Sequence, residues 1–427
     1  MIVELRKIDA LIVISLIIVA IFVLYSAGYI EIQEDEPVIP IITTPEEPED
    51  TTDTPTPPTS PLIMGYMRSV TPEDEGKHFH KLRICREWWY YTAIFSEDSD
   101  LAGWTMHVSF NHMAWGDLFG TFKPDVLVVT LHGPNGEEYG GIINKERGLG
   151  LLKTPTLEAD TPGVSVKYGK SWVEGLSPEW HLHVEDEDVD KDHTIIIDLD
   201  YFAPSDPMWT FGSRAFQKSK STLASYSFMG CNITGTIEID GDRYVVKGTG
   251  HHEHTWTPNA VVRGTVKEWD WSQIQFDNGW SIYYSNYKIR HKLVDNKENR
   301  FNPLGTVLLT TNGGQDFTIL DGIETIIGKS ENFEDKIFLH VKMPNTIDIS
   351  AKPSLLQPLI KQFNIELDLE IKVANTYEKV WKIPTYLGMK LGRSQVTGKM
   401  SWVDGDNNAQ EVELNGVATS WNMRALI

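Results

Sequence analysis

The sequence predicts an all-β protein: two tandem antiparallel β-barrels, preceded by one N-terminal transmembrane helix and a disordered stalk. Three observations carry this expectation. A short phrase is written twice, Glu87-Trp88-Trp89-Tyr90 and Glu268-Trp269-Asp270-Trp271, and self-similarity at one long period means that one supersecondary unit was built twice. Short alternating apolar runs, separated by clusters of Gly, Pro, Asn and Asp, fill the folded region, as they do in sandwiches and barrels. An uncharged apolar run opens the chain.

That opening run, Ala10–Ile30, is about the 20 residues that cross a bilayer as a helix. Arg6 and Lys7 precede it, and Glu31, Glu34, Asp35 and Glu36 follow. The bias of basic residues leaves the short N-terminus in the cytoplasm and the folded domains on the extracytoplasmic side of the cell membrane. A cleaved signal peptide is the alternative, because Ser26-Ala27-Gly28 offers small residues; the length of the run favours an uncleaved single-pass anchor. Residues 31–61 follow as a stalk, with eight prolines, nine acidic residues and no Lys or Arg. Such a segment cannot bury enough apolar surface to offset its ordering entropy.

The folded part divides into a first barrel over 62–247 and a second over 248–427. Each copy of the repeated phrase opens a strand-like run that ends in a Gly-Trp pair, Gly103-Trp104 or Gly279-Trp280. A second run follows in each copy, Thr105–Phe110 and Ser281–Ser285. A third, Val126–Thr130 or Thr306–Thr310, leads to Asn135-Gly136 or Asn312-Gly313. Further alternating runs lie at Val164–Lys167, Trp180–Val184, Thr194–Leu199, Thr236–Ile239, Tyr244–Lys247, Trp271–Phe276, Lys336–Val341 and Phe363–Val373. Ser354–Lys361 is the one helix-like stretch, and Ser205–Ser221 reads as a long loop.

Composition excludes some partners. A net charge of −22 is repelled by nucleic acid and by anionic membrane surfaces. The 14 tryptophans suit barrel interiors, where large rings pack on a pleated surface. Cys85 and Cys231 are compatible with one disulfide or with two thiols. Asn232-Ile233-Thr234 is a glycosylation sequon.

The densest chemistry is Gly250-His251-His252-Glu253-His254-Thr255-Trp256. On a strand, His252 and His254 face one side while His251 and Glu253 face the other. His252 and His254 could ligate a metal, with zinc as the candidate and a third ligand from elsewhere. His78, His80, His107 and His112 are further candidate ligands. The same pair could instead supply one general acid/base and a neighbour that orients it. Glu253, buried beside an imidazole, could hold that ring or donate a proton itself. Glu87 and Glu268 occur in both copies of the phrase, which points to architecture. Asp270 breaks the duplication, because Trp89 stands at its place in the first copy, and so is a better catalytic candidate.

These three phrases resemble the signatures of the lipocalin-like AttH and hydroxyneurosporene synthase (carotenoid hydratase) family. That family carries an E-W-W-Y strand early, a D-H-x-W-type motif midway and a W-D-W strand shortly after. The resemblance covers most of 75–427 and implies two packed lipocalin-like barrels. It also implies an apolar substrate, hydrated at a terminal double bond in some members and cyclised in relatives. Carried over by position, Glu253 takes the place of the usual Asp, with His254 and Trp256 completing the middle motif. Trp269, Asp270 and Trp271 match the following strand. Glu253 is longer than the usual Asp, Thr257 stands where Gly is usual, and His251 and His252 are additions.

The resulting expectation is an acid, Glu253 or Asp270, oriented by His254. The walls of its apolar cavity would come from Trp88, Trp89, Tyr90, Trp256, Trp269, Trp271 and Tyr283, whose faces stabilise a cation. The partners expected are a hydrophobic small molecule and, through the N-terminal helix, the membrane. No cofactor is expected, with zinc as the alternative. Two other functions compete: a non-catalytic lipid or isoprenoid binder, and a hydrolase built on the His/Glu cluster. The absence of a GxSxG phrase weighs against a serine esterase.

Overall fold

The computed structural model describes residues 55–58, 67, 69–79, 85–112, 125–143, 157–185, 192–211, 224–258, 266–289, 305–333, 341–353, 358–381 and 387–425. The apolar run Ala10–Ile30 and the stalk up to residue 54 lie outside them. No helix among the described residues is long and apolar enough to cross a membrane.

The first sheet begins with β1 (Cys85–Phe95), β2 (Thr105–His112), β3 (Val126–His132) and β4 (Glu138–Ile143). It continues through β5 (Leu157–Ala159), β6 (Val164–Tyr168), β7 (Ser171–Leu176), β8 (Glu179–Glu185) and β9 (Ile195–Phe202). β10 (Met208–Phe211), β11 (Ala224–Ile239) and β12 (Asp242–Pro258) complete it. The strands run in the order β4-β3-β2-β1-β12-β11-β9-β8-β7-β6-β5, with β10 paired to β11, and curl into a half-barrel.

The second sheet starts with β13 (Val266–Phe276), β14 (Ser281–Ile289), β15 (Thr306–Thr310), β16 (Thr318–Leu320) and β17 (Gly322–Ile327). A separate hairpin, β18 (Ser330–Phe333) and β19 (Val341–Pro344), intervenes. β20 (Thr346–Lys352), β21 (Glu366–Trp381), β22 (Leu387–Val403) and β23 (Ala409–Ala425) follow. The order β16-β15-β14-β13-β23-β22-β21-β20-β17 makes a nearly closed barrel. Two one-turn helices, α1 (Pro72–Glu75) and α2 (Pro358–Lys361), complete the described elements.

The duplicated phrase is a duplicated substructure. β1-β2-β3 and β13-β14-β15 are matching meanders, and β12 lies beside β1 as β23 lies beside β13. Each first hairpin turns on a glycine with positive φ, Gly103 at 73° and Gly279 at 83°, a backbone state that favours Gly. The amide of Gly103 donates to Phe95 O and that of Gly279 to Phe276 O, both at 3.0 Å. Register fixes the correspondence further. Trp89 faces His254 as Asp270 faces Asn422, so Glu253 corresponds to Trp421, His251 to Thr419 and Trp256 to Arg424.

Alternation along β1, β12, β13 and β23 sends side chains into three separate cores. Trp89, Tyr91, Tyr226 and Trp256 belong to the interior of the first barrel. Ile274, Phe276, Tyr284 and Ala418 belong to the interior of the second. Tyr90, Trp271, Tyr283, Leu308, Trp421 and Met423 form a third core, drawn from the outer faces of both sheets. This seam joins β1 to β13 through equivalent residues. Trp88 meets Trp269 at 6.3 Å between ring centroids, Tyr90 meets Trp271 at 4.8 Å, and Thr92 Oγ1 donates to Gln273 Oε1. Like meeting like along a strand is the mark of a two-fold-related interface. Gly230, at a bulge of β11 with φ 68°, lies so close to Gly313 of the other barrel that an added Cβ would meet Gly313 O.

Several expectations need revision. The division at 247/248 falls inside β12, all of which pairs with β1 and β11 of the first sheet. Ser205–Ser221 is not simply a loop, because Met208–Phe211 pairs with β11. The helix expected over Ser354–Lys361 is confined, among the described residues, to α2. The stalk does not end at 61 as a solvated linker: Pro57 is buried, and Thr318 Oγ1 donates to Pro58 O at 2.9 Å. Cys231 is a buried free thiol, pushed up to about 12 by burial. Its strand position faces Gly250, whereas Cys85 faces Pro258, on the order of 25 Å further along β12. No disulfide spans that.

Candidate functional site

β12 carries the histidine-rich phrase between β1 and β11, where both of its faces are covered. The expected alternation holds. His252 and His254 turn into the first barrel, and His251 and Glu253 turn toward the seam.

Inside the first barrel, His252 stacks on Tyr91 at 4.4 Å and sets Nδ1 3.2 Å from Tyr90 O. His254 stacks on Trp89 at 4.7 Å. Its Nε2 lies 2.9 Å from Glu87 Oε1 and its Nδ1 lies 3.2 Å from Tyr226 OH. Glu87 also receives the backbone amides of His78 at 2.9 Å and Phe79 at 2.7 Å, with His78 Nδ1 3.0 Å from Oε1. His78, Glu87 and His254 thus bring one potential metal-ligand atom each within 4.8 Å of one another. His252 is not part of that group. Burial pushes His252 down to about 3 and His254 down to about 4, the latter against the upward pull of Glu87. Both are neutral rings near neutrality.

α1 closes this interior from below. Its capping box, Thr71 with Asp74, fixes the helix start. Glu75 at its end accepts from Ser177 N at 3.0 Å and from Trp180 Nε1 at 2.9 Å. Burial holds the Glu75 carboxyl up at about 7 against those hydrogen bonds.

The seam is chemically different. Glu253 is 4% exposed and accepts from Trp88 Nε1 at 3.1 Å, Thr255 Oγ1 at 3.1 Å and Ser227 Oγ at 3.4 Å, and from Tyr283. Burial outweighs these donors and raises its carboxyl to about 6. Around it stand aromatic rings from both barrels. Tyr90 lies 5.8 Å from Trp421, Trp269 lies 5.6 Å from Trp421, and Trp271 lies 6.0 Å from Tyr283. Glu253 raises Tyr90 and Tyr283 further above the range that burial alone would give them. His251 sits 5.5 Å from Trp271, and His107 sits 5.1 Å from Trp421.

Asp270 is in neither place. It faces the second barrel, 2.8 Å from Arg424 Nη2, and the same guanidinium lies 3.8 Å from Glu268. The three residues expected to act together therefore lie in three compartments: Glu253 at the seam, His254 in the first barrel, Asp270 in the second. Of the expected aromatic wall, Trp88, Tyr90, Trp269, Trp271 and Tyr283 are at the seam, while Trp89 and Trp256 line the first barrel. Of the further histidines, His112 pairs with Asp125 at 3.0 Å, and His80 is outside the described residues. Trp421 was not expected, nor was Ser227.

This arrangement can be compared with solved structures. The putative AttH from Nitrosomonas europaea aligns at a TM-score of 0.50 and 15% identity, over 86% of this chain and 99% of its own. Kievitone hydratase from Nectria haematococca aligns at a TM-score of 0.51 and 11% identity, over 87% of this chain and 96% of its own. The chain has the AttH fold. No family model matches the sequence, and no curated protein matches it. The AttH fold accounts for the two packed barrels, and in this chain the seam between them is where the one elevated, aromatic-enclosed acid of β12 points.

Proposed function

We propose that the seam binds an apolar, unsaturated small molecule and that Glu253 is its proton donor in a hydration or cyclisation. The observation that carries this reading is the carboxyl itself: buried, held near pKa 6 by desolvation and walled by Trp88, Trp269, Tyr283 and Trp421. A carboxyl raised to about 6 keeps a protonated fraction near neutral pH, and that acid can give its proton to an alkene. The C–H bond forms at one alkene carbon, and the cation left at the other is stabilised by aromatic faces, each contributing about 1–2 kcal/mol when desolvated. In a hydration, water adds to that carbon and returns a proton to the Glu253 carboxylate. In a cyclisation, a second double bond of the ligand attacks that carbon, and the new cation it leaves loses a neighbouring proton to the Glu253 carboxylate. The hydratase named among the structural neighbours supports the reaction class, and the double-barrel fold supports an apolar ligand.

Acyclic polyenes incubated with the protein in deuterated, oxygen-18-labelled water test the reading. One deuterium gained at carbon, with or without one labelled oxygen, is the expected result. Label incorporation that survives Glu253→Gln would remove the acid from its role, and no incorporation by the unaltered protein would leave a binding protein.

Two further proposals remain from the sequence. The Ala10–Ile30 run would tether the barrels on the outer side of a membrane, which protease accessibility of intact cells checks. A metal-dependent hydrolase rests on the His78-Glu87-His254 group alone. Equimolar zinc that disappears in Glu87→Gln would carry that reading.

A further inference from the structure

The seam is not a hydrocarbon pocket throughout. Beyond Tyr90 its floor changes character. Register sets His251, Thr92, His107 and Thr130 in one row across β12, β1, β2 and β3, with Thr105 beside His132 in the next row. All are at most 1% exposed. Across the seam stand Gln273, Trp271 and Trp421. Many polar atoms in this region have no hydrogen-bond partner: both ring nitrogens of His251, Nε2 of His107 and of His132, Oγ1 of Thr105 and of Thr130, Nε2 of Gln273, and Nε1 of Trp421.

Each buried polar atom left unmatched costs about 1–3 kcal/mol. A fold that gathers this many on one floor, between two aromatic walls, has built a polar subsite that something must satisfy. A hydrocarbon cannot. The charge of the missing partner is also constrained. The row itself, across β12, β1, β2 and β3, carries no Lys or Arg. Arg393, at the edge, has its Nε engaged by Gly103 O at 2.9 Å. The imidazoles of His107, His132 and His251 are held neutral by burial. A neutral imidazole offers one donor and one acceptor, which suits a hydroxyl or a carbonyl and not a carboxylate.

We infer that the seam takes an amphipathic ligand, whose unsaturated apolar body lies against Trp88, Trp269 and Tyr283 and whose neutral hydroxyl or carbonyl head is held by His251, His107 and His132. This rests on the apolar-ligand reading above and narrows it to oxygenated molecules. Ordered water alone would satisfy some of the same atoms, so the inference is tested by head-group discrimination.

Three probes of one skeleton serve: farnesene, farnesol and farnesoic acid, titrated into the full chain by tryptophan fluorescence. Farnesol is expected to bind at least 10-fold tighter than farnesene, with farnesoic acid weaker than farnesol. His251→Leu should abolish the preference for the alcohol while leaving farnesene affinity within about 2-fold. His251→Gln, which restores a donor and an acceptor, should recover part of the preference and guards against a folding defect. Equal binding of alcohol and hydrocarbon, or tightest binding of the acid, overturns the polar-head inference and leaves an apolar site. A preference unchanged in His251→Leu overturns the assignment to the histidine floor. Binding of none of the three sinks the apolar-ligand reading itself.

Discussion

Where the first barrel carries Glu253, the second carries Trp421; where the first carries His254, the second carries Asn422; where the first carries Trp89, the second carries Asp270. The two walls share backbone register, hairpin glycines and a glutamate at the head of the leading strand. They differ in where charge is buried. The first wall turns Glu253 and His251 out to the seam and encloses His252 and His254, whereas the second encloses its acid with Arg424 and turns Trp421 out. A duplicated unit can keep its packing and still become asymmetric at the shared face, because one substitution on an outward position leaves the inward core of that barrel untouched. Glu253 opposite aromatic residues of the sister unit is the product.

The largest expected effect separates the barrels by pH. His132, His251, His252 and His254 stay neutral in the fold down to about 4, 3, 3 and 4, but take protons near 6.5 when unfolded. Between those values the unfolded chain binds more protons, so stability present above pH 6.5 is lost as pH falls. Between pH 6.5 and 5 each imidazole accounts for a loss of about 1.5 kcal/mol. Glu75 and Glu253 work in the opposite sense, since their folded values of about 7 and about 6 exceed the unfolded value. Together they return about 3 kcal/mol over the same window. A net loss of about 3 kcal/mol from pH 6.5 to 5 is a large share of the whole stability of many domains. The described residues of the second barrel contain no histidine. Hydrogen exchange at pH 5 should therefore show β11 and β12 opening while β22 and β23 stay protected. Simultaneous loss of protection in both would break the comparison.

Next comes the shared glutamate. Glu87→Gln removes the charge that serves two backbone amides and two imidazoles at a fully buried position, and should destabilise by about 2–3 kcal/mol. Glu268→Gln removes one side of a 3.8 Å pair whose arginine keeps Asp270, and should cost about 1 kcal/mol or less. Urea unfolding of the two variants measures the difference. Similar losses would mean that the duplicated glutamate has one architectural role in both barrels.

Much of this asymmetry could be read in the sequence, and some could not. The alternation His251-His252-Glu253-His254 follows from strand geometry alone and puts His254 and Glu253 on opposite faces, which is at odds with the expectation that His254 orients Glu253. The partner of His254 could not be read, because His78 arrives from a segment outside the strand pattern and reaches Glu87 partly through backbone amides, which leave no side-chain signature. Asp270 looked catalytic because it broke the repeat. Its neutralising arginine, Arg424, lies more than 150 residues downstream and is found only by carrying the repeat through to the last strand. The same step would have found Trp421, since β23 stands to β13 as β12 does to β1. The 247/248 boundary runs through β12, where Gly248 and Gly250 each lie mid-strand against a neighbouring backbone or side chain that leaves no room for a Cβ.

Catalysis gives the third effect. Glu253→Gln should lower turnover by 10²- to 10⁴-fold, the usual contribution of a positioned acid, while ligand affinity changes little. Trp421→Phe, at the equivalent position, should weaken binding a few-fold and leave turnover within about 10-fold. If Trp421→Phe were the more damaging, the seam would be a binding surface and its acid incidental.

The smallest effect is the sharpest test of the pairing. Trp88 and Trp269 are repeat equivalents in contact across the seam, yet only Trp88 donates its indole N–H to Glu253, at 3.1 Å; the Nε1 of Trp269 has no partner. That hydrogen bond favours the carboxylate and holds the acid below where burial alone would put it. Trp88→Phe keeps an aromatic ring and removes the donor, so the folded pKa of Glu253 should rise by roughly half to one unit, equivalent to about 1 kcal/mol. Since activity requires the protonated acid, the alkaline limb of the rate profile should move up from about 6 by the same amount. Trp269→Phe removes equal ring area without touching the carboxyl and should leave that limb where it is. A matching shift in both variants would mean that the limb reports the apolarity of the seam as a whole, and the indole of Trp88 would then be packing like its twin.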